Sequence, residues 1–276
     1  MKIEVLMSCY KNDNAKYLRE AISSTFENQT EKPDSFRIVV DGPVGDEING
    51  VLDYYEKQYP NVFIIQRLEK NGGLGKALRF GILDSKYEYI LRMDSDDVSA
   101  RTRIETQKKY ALSHPEIDVI GTYTAEFVDS PDNILSVREL ETEEDKIYKD
   151  AKKRTPVSHV SVLLKRDSVL KAGNYQSFLL YEDYYLWIRM IQNGARFGNI
   201  PEILVFVRTD ENRYKRKGSK QYIASTRLFQ HYLYGIGFVS FREYLRNKYG
   251  RVIVARVPVR IRKLIYERLL RKQPNQ

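Results

Sequence analysis

Two rhythms of apolar residues alternate along the first hundred positions. Ile3–Cys9 and residues 36–40, 62–66 and 87–93 are short apolar runs rich in β-branched and aromatic side chains, the signature of strands. Between them, residues 15–28 place Leu18, Ala21, Ile22 and Thr25 on one helical face, and residues 47–59 repeat that spacing. A third helix is expected to open at Lys70-Asn71-Gly72-Gly73-Leu74-Gly75 and to run through Leu83. Strands separated by single helices predict a parallel sheet, and right-handed crossovers cover both its faces. Ligands of such sheets sit beyond the carboxyl ends of the strands. That rim would collect Cys9-Tyr10, Asp41-Gly42 and Arg92-Met93-Asp94-Ser95-Asp96-Asp97.

Past residue 100 the pattern loosens. A helix is expected from near Ile104, antiparallel strands at Val119–Phe127 and 134–138, and an acidic-to-basic helix at 143–153. Residues 161–165 predict a short strand. Tyr181-Glu182-Asp183-Tyr184 leads a helix that Gly194 can close. A strand at 203–207 precedes a polar loop with Arg213, Lys215, Arg216 and Lys217, and the remainder reads as helical and basic.

Charge sharpens that division. The 276 residues carry a net +9, yet Ser240 to Gln276 alone holds eleven Lys and Arg against two acidic residues. The preceding 239 residues hold 35 groups of each sign and are neutral. A neutral body without a recognised binding motif argues against a nucleic-acid partner. The single cysteine, Cys9, excludes an internal disulfide and fits a reducing compartment. No apolar stretch approaches the roughly 18 residues of a membrane span, and the first residues lack a signal-peptide pattern. A cytoplasmic location is therefore expected.

Several polar groups can carry chemistry. Asp94, Asp96 and Asp97 end the fourth apolar run; in an extended chain Asp94 and Asp96 would point one way and Asp97 the other. Crowded carboxylates repel unless a hard cation such as Mg²⁺ or Mn²⁺ joins them. The competing reading is helix capping, with Ser99 or Thr102 just ahead of the helix near Ile104. Gly72-Gly73-Leu74-Gly75-Lys76 fits either a tight turn or a phosphate cradle with Lys76 facing an anion; it matches neither a P-loop nor the dinucleotide fingerprint. Glu182-Asp183 reads either as a complement to the helix dipole or as a general base among aromatic residues. His159 is kept as a site candidate and a candidate third metal ligand, whereas His114 reads as a helix-end cap and His231 as packing.

Together these pieces resemble family 2 of the glycosyltransferases, the inverting group with a GT-A-type fold. They are most similar to members that build bacterial capsular polysaccharide, O-antigen and related surface glycans. The resemblance rests on Met7-Ser8-Cys9-Tyr10, Asp41-Gly42-Pro43, Asn71-Gly72-Gly73-Leu74-Gly75-Lys76-Ala77, Arg92-Met93-Asp94-Ser95-Asp96-Asp97 and Glu182-Asp183-Tyr184-Tyr185-Leu186-Trp187-Ile188-Arg189, in order over residues 1–210. It implies a Rossmann-like mixed α/β sheet flanked by helices in a catalytic domain at 1–215, its nucleotide-binding half ending near 100 and its acceptor-binding half following, with a basic helical extension at 216–276.

The resemblance also implies roles. A nucleotide-diphosphate sugar, UDP-linked, would be the donor. Asp41 and the Cys9-Tyr10 backbone would hold its base, and Asp94 would face the ribose and diphosphate. Ser95, Gly72, Lys76, Glu182 and Arg213 would be further donor-side residues, with Mn²⁺ or Mg²⁺ on Asp96 and Asp94. Asp183 would deprotonate a glycan or lipid-linked acceptor. Two departures matter: many members have two acidic residues where this chain has Asp41-Gly42, and the processive Gln-x-x-Arg-Trp motif is absent. A sugar nucleotidyltransferase is an alternative, although Ser8-Cys9-Tyr10-Lys11-Asn12-Asp13 is not its Gly-rich basic loop; a non-catalytic membrane-surface binding protein is another.

The tail has its own pattern. Val257, Ile261, Leu264, Ile265 and Leu269 follow helical spacing, with Arg260, Arg262, Lys263, Arg268, Arg271 and Lys272 supplying charge and Pro258 suited to the first turn. Such a helix is expected to lie on an anionic membrane surface. The alternative is a helix packed on the body.

Overall fold

The structure, a computed structural model, describes residues 1–210, 215 and 217–269. Strands β1 (Ile3–Cys9), β2 (Ser35–Val40), β3 (Phe63–Arg67) and β4 (Tyr89–Met93) are parallel, and helices α1 (Ala15–Thr25), α2 (Asp46–Gln58) and α3 (Leu74–Asp84) connect them. Alternate side chains of β1 serve opposite faces, as strand geometry requires. Val5, Met7 and Cys9 pack with Leu18, Ile22 and Leu52 of α1 and α2, while Leu6 packs with Ala77, Leu78 and Ile82 of α3. Each such aliphatic side chain contributes about 1.5–3 kcal/mol by leaving water.

The second half turns the sheet mixed. Its elements are β5 (Val98–Ser99), α4 (Arg103–Ser113), β6 (Val119–Phe127), β7 (Ser136–Arg138), α5 (Glu144–Ala151), β8 (Leu163–Lys165), α6 (Arg166–Lys171), α7 (Glu182–Gln192) and β9 (Phe197–Arg208). The strands run in the order β3-β2-β1-β4-β8-β6-β9-β5, with β7 paired to β6. Strand β9 starts at Phe197 rather than at 203, because register shifts opposite Thr122–Thr124 absorb Pro201, which has no ladder donor. The alignment that matters for a site is at one rim: Cys9 pairs with Val40 and Met7 with Met93. The segments after β1, β2 and β4 therefore emerge side by side, as expected.

Three helices close the described chain: α8 (Lys220–Gly235), α9 (Phe241–Arg256) and α10 (Val259–Leu269). Ser240 caps α9 in a capping box with Glu243, an arrangement worth about 1 kcal/mol. Helices α8 and α9 bury Phe229, Leu233 and Tyr244 against Tyr181, Tyr184 and Ile188 of the α7 region. Most of the basic tail is thus packed on the body. Helix α10 differs: Ile261 and Leu264 are exposed, whereas Arg262 is buried and donates to the carbonyls of Val254 and Val257. Leu269, Arg268, Arg271 and Lys272, also part of the tail expectation, have side chains outside the described set. Among the described residues no helix is long and apolar enough to cross a membrane.

Candidate active site

The chain turns immediately after β4 instead of staying extended. Carboxylate oxygens of Asp94, Asp96 and Asp97 consequently lie within 4.8 Å of one another. This corrects the expectation that Asp97 points away, since alternation holds only while the backbone remains a strand. Asp97 is buried and accepts the Arg208 backbone N–H at 2.8 Å. The Arg208 guanidinium donates to the Asp96 carbonyl at 3.0 Å and stacks on Tyr17 and Phe127, clamping the turn from β9. Capping does not explain the motif: α4 starts only at Arg103, and Thr102 makes no side-chain cap bond.

Buried cations lie beneath the three carboxylates. Arg92, 1 % exposed, meets Asp94 at 2.5 Å, and its Nε and Nη1 have no hydrogen-bond partner. Burial alone would lower the Arg92 pKa, but Asp94 more than reverses this. Arg103 donates to the carbonyls of Arg92 and Val160 at 2.7 and 3.0 Å, and burial brings it down to about 9. Burial, then Asp94 and Asp13, pushes the Asp96 carboxyl up to about 6, and burial, then Asp94 and Asp96, raises that of Asp97. An all-oxygen cluster whose mutual repulsion Arg92 offsets only in part fits a hard divalent cation.

Asp13, which the sequence reading overlooked, joins the first rim segment to this cluster. Its carboxylate accepts from Ser95 Oγ at 2.7 Å and from the Tyr10 backbone N–H at 3.1 Å. Tyr10 is 40 % exposed beside it, while Cys9 is buried, its thiol pushed by burial up to about 12. Such a thiol is an inert packing group.

The two carboxylate oxygens of Asp41 accept the N–H groups of Gly72 and Gly73 at 2.7 and 2.8 Å. Gly42 makes this close approach possible: its φ is +85°, and a Cβ there would stand 2.6 Å from the Asn71 nitrogen. Exposed Lys76 opens α3 with its stem lying back over Gly72.

Helix α7 brings the second acidic centre to the same rim. Gly75 is the contact point, since a Cβ on it would meet Glu182 Cγ at 3.1 Å. Glu182 and Asp183 form the first turn of α7, and burial raises both carboxyls; for Asp183 the Tyr184 N–H and Arg138 pull the other way. His159 stands in this cleft with Leu78 and Asp183, bonded through Nε2 to the Tyr175 hydroxyl at 2.8 Å. Burial, aided by Arg92, lowers its pKa and keeps the ring neutral. It is not among the groups that converge on the acidic cluster. Tyr175, raised mainly by burial, lines the same cleft as Asp183. Arg213 lies outside the described residues.

Asp13, Arg103, Tyr175 and Arg208 could not be assembled from spacing, because each reaches the rim from a different segment. A weak signal existed for Asp13 alone, a carboxylate just past a strand end on the predicted rim.

Comparison with known proteins fits this geometry. The sequence profile described as Glycosyl transferase family 2 matches residues 4–171. The UDP-Gal:alpha-D-GlcNAc-diphosphoundecaprenol beta-1,3-galactosyltransferase of Escherichia coli is 31 % identical over 98 % of this chain and 97 % of its own. The amylovoran biosynthesis glycosyltransferase AmsE of Erwinia amylovora is 31 % identical over 96 % and 97 %. The mannosyltransferase PcManGT of Pyrobaculum calidifontis, solved with GDP-Man and Mn²⁺, superposes with a TM-score of 0.63 at 13 % identity, covering 91 % of this chain and 69 % of its own. That likeness supports the GT-A fold. With a matching profile over most of the catalytic body and relatives that align nearly end to end, the chain belongs to glycosyltransferase family 2.

Proposed function

We propose that the protein transfers a hexose from a UDP-sugar to a hydroxyl of a lipid-linked glycan acceptor, with inversion, during surface polysaccharide synthesis. The observation that carries this is the pairing of two acidic centres on one rim: the Asp94–Asp96–Asp97 cluster and Asp183 at the start of α7, which meets the rim where Glu182 packs on Gly75. The Escherichia coli relative, whose name specifies UDP-Gal and a lipid diphosphate acceptor, supports the donor and acceptor classes.

Asp96 and Asp94 would hold Mn²⁺ or Mg²⁺, which when bound supplies positive charge to the diphosphate leaving group. The remaining roles belong to the chain. Asp13 and Ser95 fix the turn that presents Asp94. Asp41 orders the Gly72–Gly73 backbone, and with the Cys9-Tyr10 segment beside it would border the base. Lys76, on the opening turn of α3, is placed for the phosphates, with Glu182 and Arg213 as further donor-side residues. Asp183 takes the acceptor proton: burial gives it more basicity than a surface carboxylate, and Asp183 stays apart from the leaving-group charge. Exposed Ile261 and Leu264 on a basic helix support contact with an anionic lipid surface at the cytoplasmic face.

A screen of UDP-sugars with purified protein and Mn²⁺, following free UDP, tests the activity. Release from at least one UDP-hexose is expected. Release from none, with the protein folded, would rule out the donor class.

A further inference from the structure

Two spaces meet at Asp183. One is the cleft that holds His159 and Tyr175, lined also by Leu74 and Gly75 of the α3 opening turn. The other is a cavity of about 720 Å³ between the α5–β8 connection, the turn before α7 and the C-terminal helices. Among the described residues Asp183 alone borders both, and Asp41, Asp94 and Asp96 border neither. The larger volume is that of a small-molecule site. An inverting displacement needs its nucleophile opposite the leaving group. A base that borders two spaces can therefore serve a donor in one and an acceptor in the other.

The wall of the larger cavity departs from local backbone preference at two places, Leu180 and Gly250. Leu180, in the turn that leads into α7, has φ +66° and is half exposed. A bulky side chain in the left-handed region is strained, and such strain persists only where the surroundings fix it. Helix α8 does so here. Ser225 Oγ donates to the Leu179 carbonyl, and the Tyr181 hydroxyl and Thr226 Oγ1 share a hydrogen bond at 2.8 Å. Gly250 lies inside α9, where Gly is a poorer helix former than Ala, yet a Cβ there would meet no atom within 4 Å. Packing does not require a glycine at that position; the missing side chain leaves the cavity open. Asn247 donates to the Lys152 carbonyl at 2.7 Å and Arg251 to the Lys153 carbonyl, which holds α9 at this spacing from the body.

We propose that this cavity seats the acceptor sugar and that Leu180 and Gly250 set which sugars fit. Leu180 offers an apolar edge to the C–H face of a sugar ring, and the bare α9 backbone at Gly250 leaves room for the substituents of the ring. This rests on Asp183 being the acceptor-side base. It makes the C-terminal helices the part of the chain that selects the acceptor: α8 holds the Leu180 turn, and α9 forms the facing wall.

Thiol labelling of the full-length protein tests the assignment. Cys9 is the single cysteine and is buried, so Gly250→Cys places one reactive thiol in the cavity, and wild type treated with N-ethylmaleimide is the control. Transfer is followed from the UDP-hexoses of the donor screen to a panel of decyl-diphosphate monosaccharides. After labelling of Gly250→Cys, kcat/KM for transfer should fall by about tenfold or more, the scale on which a pocket discriminates one added group. UDP affinity in Mn²⁺ should not change. Leu180→Asn, which tolerates the left-handed turn, should hold its melting temperature while the acceptor KM rises and kcat stays close to wild type. Undiminished transfer after complete labelling would overturn the proposal, as would a Gly250→Cys thiol that does not react. Loss of UDP affinity on labelling would overturn it too, by putting the donor in this cavity. An unchanged KM in Leu180→Asn would remove Leu180 from the site. No transfer to any panel member by unlabelled wild type would remove the acceptor reading and this proposal with it, whereas UDP release in the donor screen reports on the donor chemistry separately.

Discussion

Asp183 and Asp96 are both carboxylates raised above the usual range, yet their surroundings suit opposite work. Burial of Asp183 is partly offset by the Tyr184 N–H and by Arg138, and Glu182 is its neighbour in the first turn of α7. Asp96 instead shares its corner with Asp94 and Asp13. In Asp183→Asn, donor binding should persist while kcat falls roughly 10²–10⁴-fold, the typical contribution of a general base. The pH profile adds a sign. A base works deprotonated, so kcat/KM should fall as pH drops through the raised Asp183 pKa, and the residual activity of Asp183→Asn should lack that limb. A wild-type rate in this variant would reduce Asp183 to a helix-end charge. At the neighbouring rim turn, Gly42→Ala forces a side chain into φ +85° and against Asn71. A loss of about 1–3 kcal/mol in urea unfolding is expected, with weaker donor binding as the Gly72–Gly73 loop moves.

At the level of elements, the first hundred residues were legible because β1 to β4 are short, mostly apolar runs separated by amphipathic helices. Each strand end was therefore visible, and so was the shared rim. What escaped was any feature made by non-local pairing. Asp97 turns inward because the Arg208 N–H, from β9, meets it, and nothing in its own segment says so. The strand expected at 203–207 stops short of β9, which runs from Phe197 through Pro201 because register shifts against β6 absorb the missing donor. The membrane expectation concerns residues 257–272 alone; ahead of it, α8 and α9 bury an aromatic seam against α7, which their sequence did not reveal. That seam has a testable weight. Phe229 is fully buried among Tyr181, Tyr184 and Phe178, so Phe229→Ala should cost about 3–5 kcal/mol. Thermal unfolding within error of wild type would mean that α8 does not contribute to the core.

For the whole molecule, charge and exposure divide the tail into two parts. Helices α8 and α9 extend the body, while α10 presents Ile261 and Leu264 outward. Co-sedimentation with anionic liposomes should be strong for wild type, weaken with salt, and be largely lost in Ile261→Asp/Leu264→Asp. Equal pelleting of the double variant would remove α10 as the contact. The central claim is the division of labour between the acidic cluster and Asp183, and UDP binding in Mn²⁺ reads it most directly. By calorimetry wild type and Asp183→Asn should bind UDP with the same affinity, and Asp96→Ala should lose metal-dependent binding. Wild-type affinity in Asp96→Ala, or loss of UDP binding in Asp183→Asn, would contradict the account.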